Sequence, residues 1–160
     1  MDEELFCEFY EQTARNLRAY VRSMVFDQAL VDDLLQESYF RLLKAGLPAS
    51  MDMVYRKNYL YRIATNLVRD NRRSPRLEQL SEERDFAASD QSFEKDQDVK
   101  RAFVRLKPKE RELLWMAYVE QFSHKEIAAV LRGKAASIRP MLARARGKFA
   151  DLLKRRGYGG

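Results

Sequence analysis

With 160 residues, 30 lysines and arginines against 24 acids and a formal net charge of +6, the chain has room for one ordinary domain or two small ones. Its isoelectric point near 9.5 favours an anionic partner, nucleic acid before an anionic membrane surface. A single cysteine, Cys7, and a single histidine, His124, exclude an internal disulfide and a structural zinc site made of Cys and His.

The opening Met1-Asp2-Glu3-Glu4 is acidic where a secretory leader is basic, and no apolar run approaches the ~20 residues of a membrane span. The expectation is a cytoplasmic protein of a reducing compartment, with no membrane insertion. Leu5, Phe9, Leu17, Tyr20, Val21 and Met24 recur at helical spacing and predict a helix over 3–25. Cys7 is read into its apolar phase as a buried thiol. Asp27 is placed to cap a second helix with Leu30, Val31, Leu34, Leu35, Leu42 and Leu43 inward, ended by Gly46 and Pro48. After a loop from Lys44 to Ser50, a third helix is expected from about Asp52. It turns Val54, Leu60, Ile63, Ala64, Leu67 and Val68 inward and ends in Arg69, Arg72 and Arg73 before Ser74-Pro75.

From Arg76 to Asp98 acids are interleaved with Ser, Ala and Gln and large apolar residues are few, the composition of a flexible linker. Periodicity returns at Val99, Phe103 and Leu106, breaks at Lys107-Pro108 and resumes from Leu113 to Phe122, so four further helices are expected. Ser123-His124-Lys125-Glu126 is a capping-box pattern opening a short helix with Ile127, Ala128 and Leu131. Beyond Arg132-Gly133-Lys134 a longer helix runs to about Arg156, with Ile138, Leu142, Ala145, Phe149 and Leu152 inward. Short helix, glycine-containing turn and longer helix is the helix-turn-helix plan. No segment has the period of a strand. The predicted fold class is all-α: a three-helix domain over 1–76, an acidic linker over 77–97 and a helix-turn-helix domain over 98–160.

Two basic clusters carry the candidate chemistry. The last helix presents Arg139, Arg144, Arg146, Lys148, Lys154, Arg155 and Arg156 against one acid, Asp151. Such a face neutralises phosphates and offers arginine to guanine edges in a major groove, although a solvated helix end complementing the helix dipole has the same composition. The second cluster, Arg62, Arg69, Arg72 and Arg73, lies among Tyr55, Tyr59, Tyr61, Asn58 and Asn66. Rings beside cations and amides suit unstacked bases, each stack being worth ~1–3 kcal/mol, while any one of these tyrosines is as readily a core residue.

The segment Asp33-Leu34-Leu35-Gln36-Glu37-Ser38-Tyr39-Phe40-Arg41 resembles the core-polymerase-binding part of sigma-factor region two. Tyr59-Leu60-Tyr61-Arg62-Ile63-Ala64-Thr65-Asn66 resembles the promoter-binding part that follows it. Arg105-Leu106-Lys107-Pro108-Lys109-Glu110-Arg111-Glu112 and Phe122-Ser123-His124-Lys125-Glu126-Ile127-Ala128 resemble region four. Over residues 5–155 the chain is thus similar to the extracytoplasmic-function sigma factors of the sigma-70 family. The resemblance implies that Asp33, Leu34, Gln36, Glu37 and Arg41 meet the clamp helices of the largest polymerase subunit, with region four on the flap. It implies that Tyr55, Tyr59, Arg62, Asn66, Arg69, Arg72 and Arg73 hold the separated strand of the start-proximal (−10) element. Asn66 and the loop from Lys44 to Met53 would take one flipped base. Lys134, Ser137, Arg139, Arg144 and Lys148 would read the upstream (−35) element as duplex. The implied partners are core RNA polymerase, promoter DNA and an anti-sigma protein.

Four positions depart from the family pattern. Tyr59 stands where many members have tryptophan, and Met141 and Ala143 replace larger or polar residues beside Arg139. Pro140 fits a helix only in its first turn, which predicts Ser137 as the N-cap. Nothing in the sequence supports an enzyme: there is no nucleophile triad, no glycine-rich phosphate loop and no paired-carboxylate spacing, and no cofactor or metal is implied. His124 is read as a helix-start residue. A stand-alone regulator and a protein-binding module are the rival readings, and neither accounts for the Asp33 to Arg41 segment followed by Tyr59 to Asn66.

Overall fold

The structure is a computed structural model and describes residues 1–72 and 97–155. Among the described residues there are helices and turns and no strand: α1 Glu3–Met24, α2 Gln28–Lys44, α3 Met53–Arg72, α4 Gln97–Arg105, α5 Pro108–Leu114 extended by one π-helical turn Trp115–Val119, α6 His124–Leu131 and α7 Ala135–Arg155. They form two compact units, one built around α1–α3 and the other around α4–α7. The expected linker, Gln97 apart, lies outside the described residues, as do Arg73, Ser74-Pro75 and Arg156.

In the first unit each helix start is satisfied by an aspartate, which accepts backbone donors that have no partner inside the helix. Asp2 accepts from the Leu5 N–H at 2.7 Å, Asp27 from Ala29 at 3.0 Å, and Asp52 from Val54 at 2.9 Å. Glu3 and Glu4 add negative charge at the positive end of α1. The three helices pack on one another around Phe9, Leu17, Tyr20, Val21, Val31, Leu42, Leu60, Tyr61, Ala64 and Val68. Two buried hydroxyl pairs add direction to this apolar packing: Thr13 with Tyr39 ties α1 to α2, and Tyr20 with Thr65 ties α1 to α3, both at 2.7 Å. Thr13 also donates to the Phe9 carbonyl at 2.8 Å. Burial, partly offset by the Thr13 hydrogen bond, pushes the Tyr39 phenol up to about 12.

Three expected inward residues point elsewhere. Cys7 is exposed, because it lies two residues from both Leu5 and Phe9 and so falls on the opposite face of the helix. Leu43 and Val54 are exposed at the two ends of the α2–α3 connection, Leu43 one residue out of phase with Leu42 and Val54 in the first turn of α3.

The second unit buries Leu106, Leu113, Met116, Phe122, Ile127, Ile138, Leu142 and Ala145, with α4 and α5 packed on α7. Phe103 is edge-on to Phe149 at 6.1 Å and tilted against Trp115 at 6.4 Å. The Lys107-Pro108 break is a helix start, with Pro108 in the first turn of α5 and the Lys107 N–H bonded to Glu110 Oε1 at 2.7 Å. At its far end α5 widens: the Glu120 N–H donates to the Trp115 carbonyl at 3.1 Å and Phe122 to Met116 at 2.8 Å, with Gln121 at φ 57. The capping box forms as read, Glu126 N–H to Ser123 Oγ at 3.1 Å and Ser123 N–H to Glu126 Oε1 at 3.0 Å.

In the turn between α6 and α7 the left-handed residue is Arg132 at φ 57, followed by a Gly133 N–H bond to the Ala128 carbonyl at 2.8 Å. Ser137 is not the N-cap. α7 begins at Ala135, so Ser137 belongs to its first turn, its N–H on the Lys134 carbonyl at 3.0 Å, and Pro140 lies inside the helix. A proline there withholds the donor that the Ala136 carbonyl would receive. Ala136 and Pro140 are both exposed, so water can supply it.

Candidate nucleic-acid and polymerase interface

On α3 the residues Tyr55, Tyr59, Arg62, Asn66 and Arg69 follow one another at three- and four-residue steps and therefore share one face. Tyr55 is 68% and Tyr59 37% exposed, while Arg62, Asn66, Arg69 and Arg72 are partly buried. Tyr61 is fully buried, its ring 5.2 Å from that of Tyr20. The aromatic cluster thus divides into two presented rings and one core ring. Asn66 makes no side-chain hydrogen bond among the described residues, so its amide is open to an incoming donor and acceptor pair. The opposite end of the face meets the α2–α3 connection. There Gly46 adopts φ 62 and a turn closes with the Met51 N–H on the Pro48 carbonyl at 3.0 Å. The same carbonyl accepts from Arg56 at 2.6 Å.

On α2, Asp33, Gln36 and Arg41 are exposed and Glu37 is partly so. Leu34, grouped with them in the sequence, is 4% exposed and is a core residue, since residues one step apart on a helix diverge in direction. Arg41 is paired with Glu37 at 2.8 Å, both about half exposed, a pair worth at most a few tenths of a kcal/mol. Phe40 is 56% exposed on this face, with the Lys44 ammonium 5.7 Å above its ring. The sequence reading passed over Phe40 as a residue in its own right. The available signal was its phase, out of step with the inward Leu35, Tyr39 and Leu42.

Lys134, just before α7, and Ser137, Arg139, Arg144 and Lys148 on it are all exposed, and Arg139 and Arg144 flank the exposed Pro140 and Ala143. Lys148 stands 3.8 Å from Glu110 and Arg146 donates to the Tyr118 hydroxyl at 2.8 Å, so these two cations are turned toward α5 and its π turn. Arg139 and Arg144 make no such bond among the described residues. The face has the charge and helix-turn-helix setting for phosphate and base-edge contact in a major groove. No group of acidic, histidine or cysteine side chains among the described residues could hold a metal, and no described helix is long and apolar enough to cross a membrane.

Two family models divide the chain where the structure divides it: sigma-70 region 2 matches residues 9–77 and sigma-70 region 4 matches residues 96–149. This chain is a sigma factor of the sigma-70 family. It is similar to the RNA polymerase sigma factor SigZ of Bacillus subtilis, 27% identical over 152 residues that cover 92% of this chain and 86% of the relative. Its fold is that of sigma factor RpoE solved with the anti-sigma factor NepR from Bartonella quintana, TM-score 0.71 at 20% identity over 93% and 96% of the two chains. CnrH, solved with the cytosolic domain of CnrY, superposes with TM-score 0.72 at 20% identity over 96% and 90%. Regions two and four, joined in one short chain, make this sigma factor one of the extracytoplasmic-function type, and it directs promoter-specific transcription by RNA polymerase.

Proposed function

We propose that this sigma factor divides promoter recognition between its two units. Region two, within 1–76, captures the separated strand of the start-proximal element on the α3 face, Tyr55 and Tyr59 stacking bases and Arg62, Arg69, Arg72 and Arg73 holding phosphates. Asn66 and the α2–α3 connection take one flipped base. Region four, within 98–160, reads the upstream element with Arg139 and Arg144, while Lys134, Ser137 and Lys148 fix the helix on the backbone. The segment over 77–97 links them. Asp33, Gln36, Glu37 and Arg41, joined by Phe40, dock on the polymerase. The protein acts stoichiometrically in the cytoplasm, without cofactor or catalysis of its own, and is held in check by an anti-sigma protein of the kind that its structural neighbours bind.

The observation that carries this reading is the sorting of the α3 tyrosines. Tyr55 and Tyr59 are presented on the α3 face that also carries Arg62 and Asn66, while Tyr61, two residues after Tyr59, is sealed in the core. Core packing alone gives no reason to leave two large rings in water at that face. The test is promoter opening by the reconstituted holoenzyme, read by the reactivity of unpaired thymines. Tyr59→Ala with Asn66→Ala should leave polymerase binding intact and reduce opening by at least tenfold, since each lost stack is worth ~1–3 kcal/mol. Arg139→Ala with Arg144→Ala should instead weaken recruitment to the upstream duplex and flatten its salt dependence by about two phosphate or base contacts. Normal opening by the first variant would refute the assignment of the α3 face.

A further inference from the structure

Four basic side chains of α7 fall into two rows. Arg139 and Arg146 are two helical turns apart and leave the same side of the helix, while Arg144 and Lys148, one turn apart, leave the other. Pro140, Ala143 and Gly147, all exposed, lie between the rows. The second cation of each row is held differently. Lys148 stands 3.8 Å from a carboxylate, that of Glu110. Arg146 instead donates through Nη1 to the Tyr118 hydroxyl at 2.8 Å. That acceptor is neutral, and among the described residues no carboxylate pairs with the Arg146 charge. A guanidinium has five N–H donors in a planar fork, so one bond fixes its direction and leaves the rest of the fork open to an anion.

Tyr118 is 55% exposed and Arg146 is exposed as well, so their bond adds little to folding. It is nevertheless made from strained backbone. Tyr118 belongs to the π turn Trp115–Val119, closed by the Glu120 N–H on the Trp115 carbonyl at 3.1 Å, and Gln121 follows at φ 57. Both conformations are sparsely populated and gather where a side chain has to be aimed.

We infer that Arg146 is a phosphate contact and Tyr118 its positioning residue: the phenol hydroxyl holds the guanidinium at the edge of α7 for the duplex backbone on the Arg139 side, as Lys148 serves the Arg144 side. This rests on the assignment of α7 to the upstream duplex. A helix is about 10–12 Å across and a major groove about 12 Å wide, so a helix seated there has a phosphate wall on either side, one for each row. Tyr118 acts through Arg146 alone. A long side chain fixed before binding loses less freedom when it binds.

The test is recruitment of reconstituted holoenzyme to a duplex carrying the upstream element, followed across a salt series. Arg146→Ala is expected to weaken binding about fivefold and to lower the slope of log affinity against log salt by about 0.9, one phosphate contact. Tyr118→Phe removes only the hydroxyl. It is expected to weaken binding about threefold, with the slope and the thermal midpoint of the free protein unchanged, because the charge remains and only its placement is lost. The double variant should match Arg146→Ala, since a hydroxyl that acts through Arg146 has nothing to add once Arg146 is gone. An unchanged slope in Arg146→Ala, wild-type affinity in Tyr118→Phe, or losses that add in the double variant each overturn the inference. Arg139→Ala with Arg144→Ala, run in parallel, separates the two levels. Recruitment lost there but kept in Arg146→Ala refutes only the role of Arg146 and Tyr118, whereas recruitment kept in both removes α7 from the duplex and this inference with it.

Discussion

Tyr39 and Tyr61 show how neighbouring chemistry decides what an aromatic residue does. Tyr39 is held in the core by the Thr13 hydroxyl at 2.7 Å, and burial raises its phenol from 10.0 to about 12. Because the folded state holds this proton more tightly than the unfolded chain, the stabilisation is complete below pH 10.0. It is lost as pH rises through that value toward about 12. Thermal unfolding followed across that window should show a decline in the wild type that Tyr39→Phe lacks; parallel declines would place the titrating group elsewhere. The phenylalanine variant should itself cost about 1 kcal/mol at neutral pH, since Thr13 keeps its bond to the Phe9 carbonyl. From the sequence, Tyr55, Tyr59 and Tyr61 are equivalent members of one cluster. Only the register of α3 against α1 separates them. Arg56 was illegible for a different reason: its acceptor is a backbone carbonyl eight residues away, which no pattern of side-chain types announces.

Among the elements, the legible features were those with local causes. Asp27, Ser123 with Glu126, and Pro108 act within one turn of their own position, and each forms the cap or start that its residue type favours. The π turn at Trp115–Val119 and the left-handed Arg132 were not legible, because neither conformation is one that its residue types favour. Pro140 is the sharpest case. Local preference alone would end or delay the helix, yet α7 starts at Ala135 and carries the proline within it, held by the burial of Ile138, Leu142 and Ala145 on either side. Pro140→Ala should therefore restore the missing bond to Ala136 and raise the stability of the second unit by about 1–3 kcal/mol, measured by denaturant unfolding. No gain, or a loss, would mean that the proline ring makes contacts worth as much as the bond.

At the scale of the whole molecule, the sequence carried the division into two helical units and the order of their motifs, because apolar periodicity and the Lys107-Pro108 and Ser123 to Glu126 signals survive without tertiary information. What it could not carry is the presentation of surface: which of Asp33 to Arg41 face outward, that Phe40 joins them, and that Arg146 and Lys148 bend toward Tyr118 and Glu110 while Arg139 and Arg144 do not. The central claim is that these surfaces serve a polymerase subunit whose specificity resides in two separate faces. The most direct test adds the purified protein to bacterial core RNA polymerase on a library of genomic templates. The account predicts a stable complex that initiates RNA synthesis at a defined set of sites. Initiation should be lost with Arg139→Ala and Arg144→Ala, and start-site melting lost separately with Asn66→Ala and Tyr59→Ala. A protein that fails to join core polymerase while binding duplex DNA unaided would contradict it.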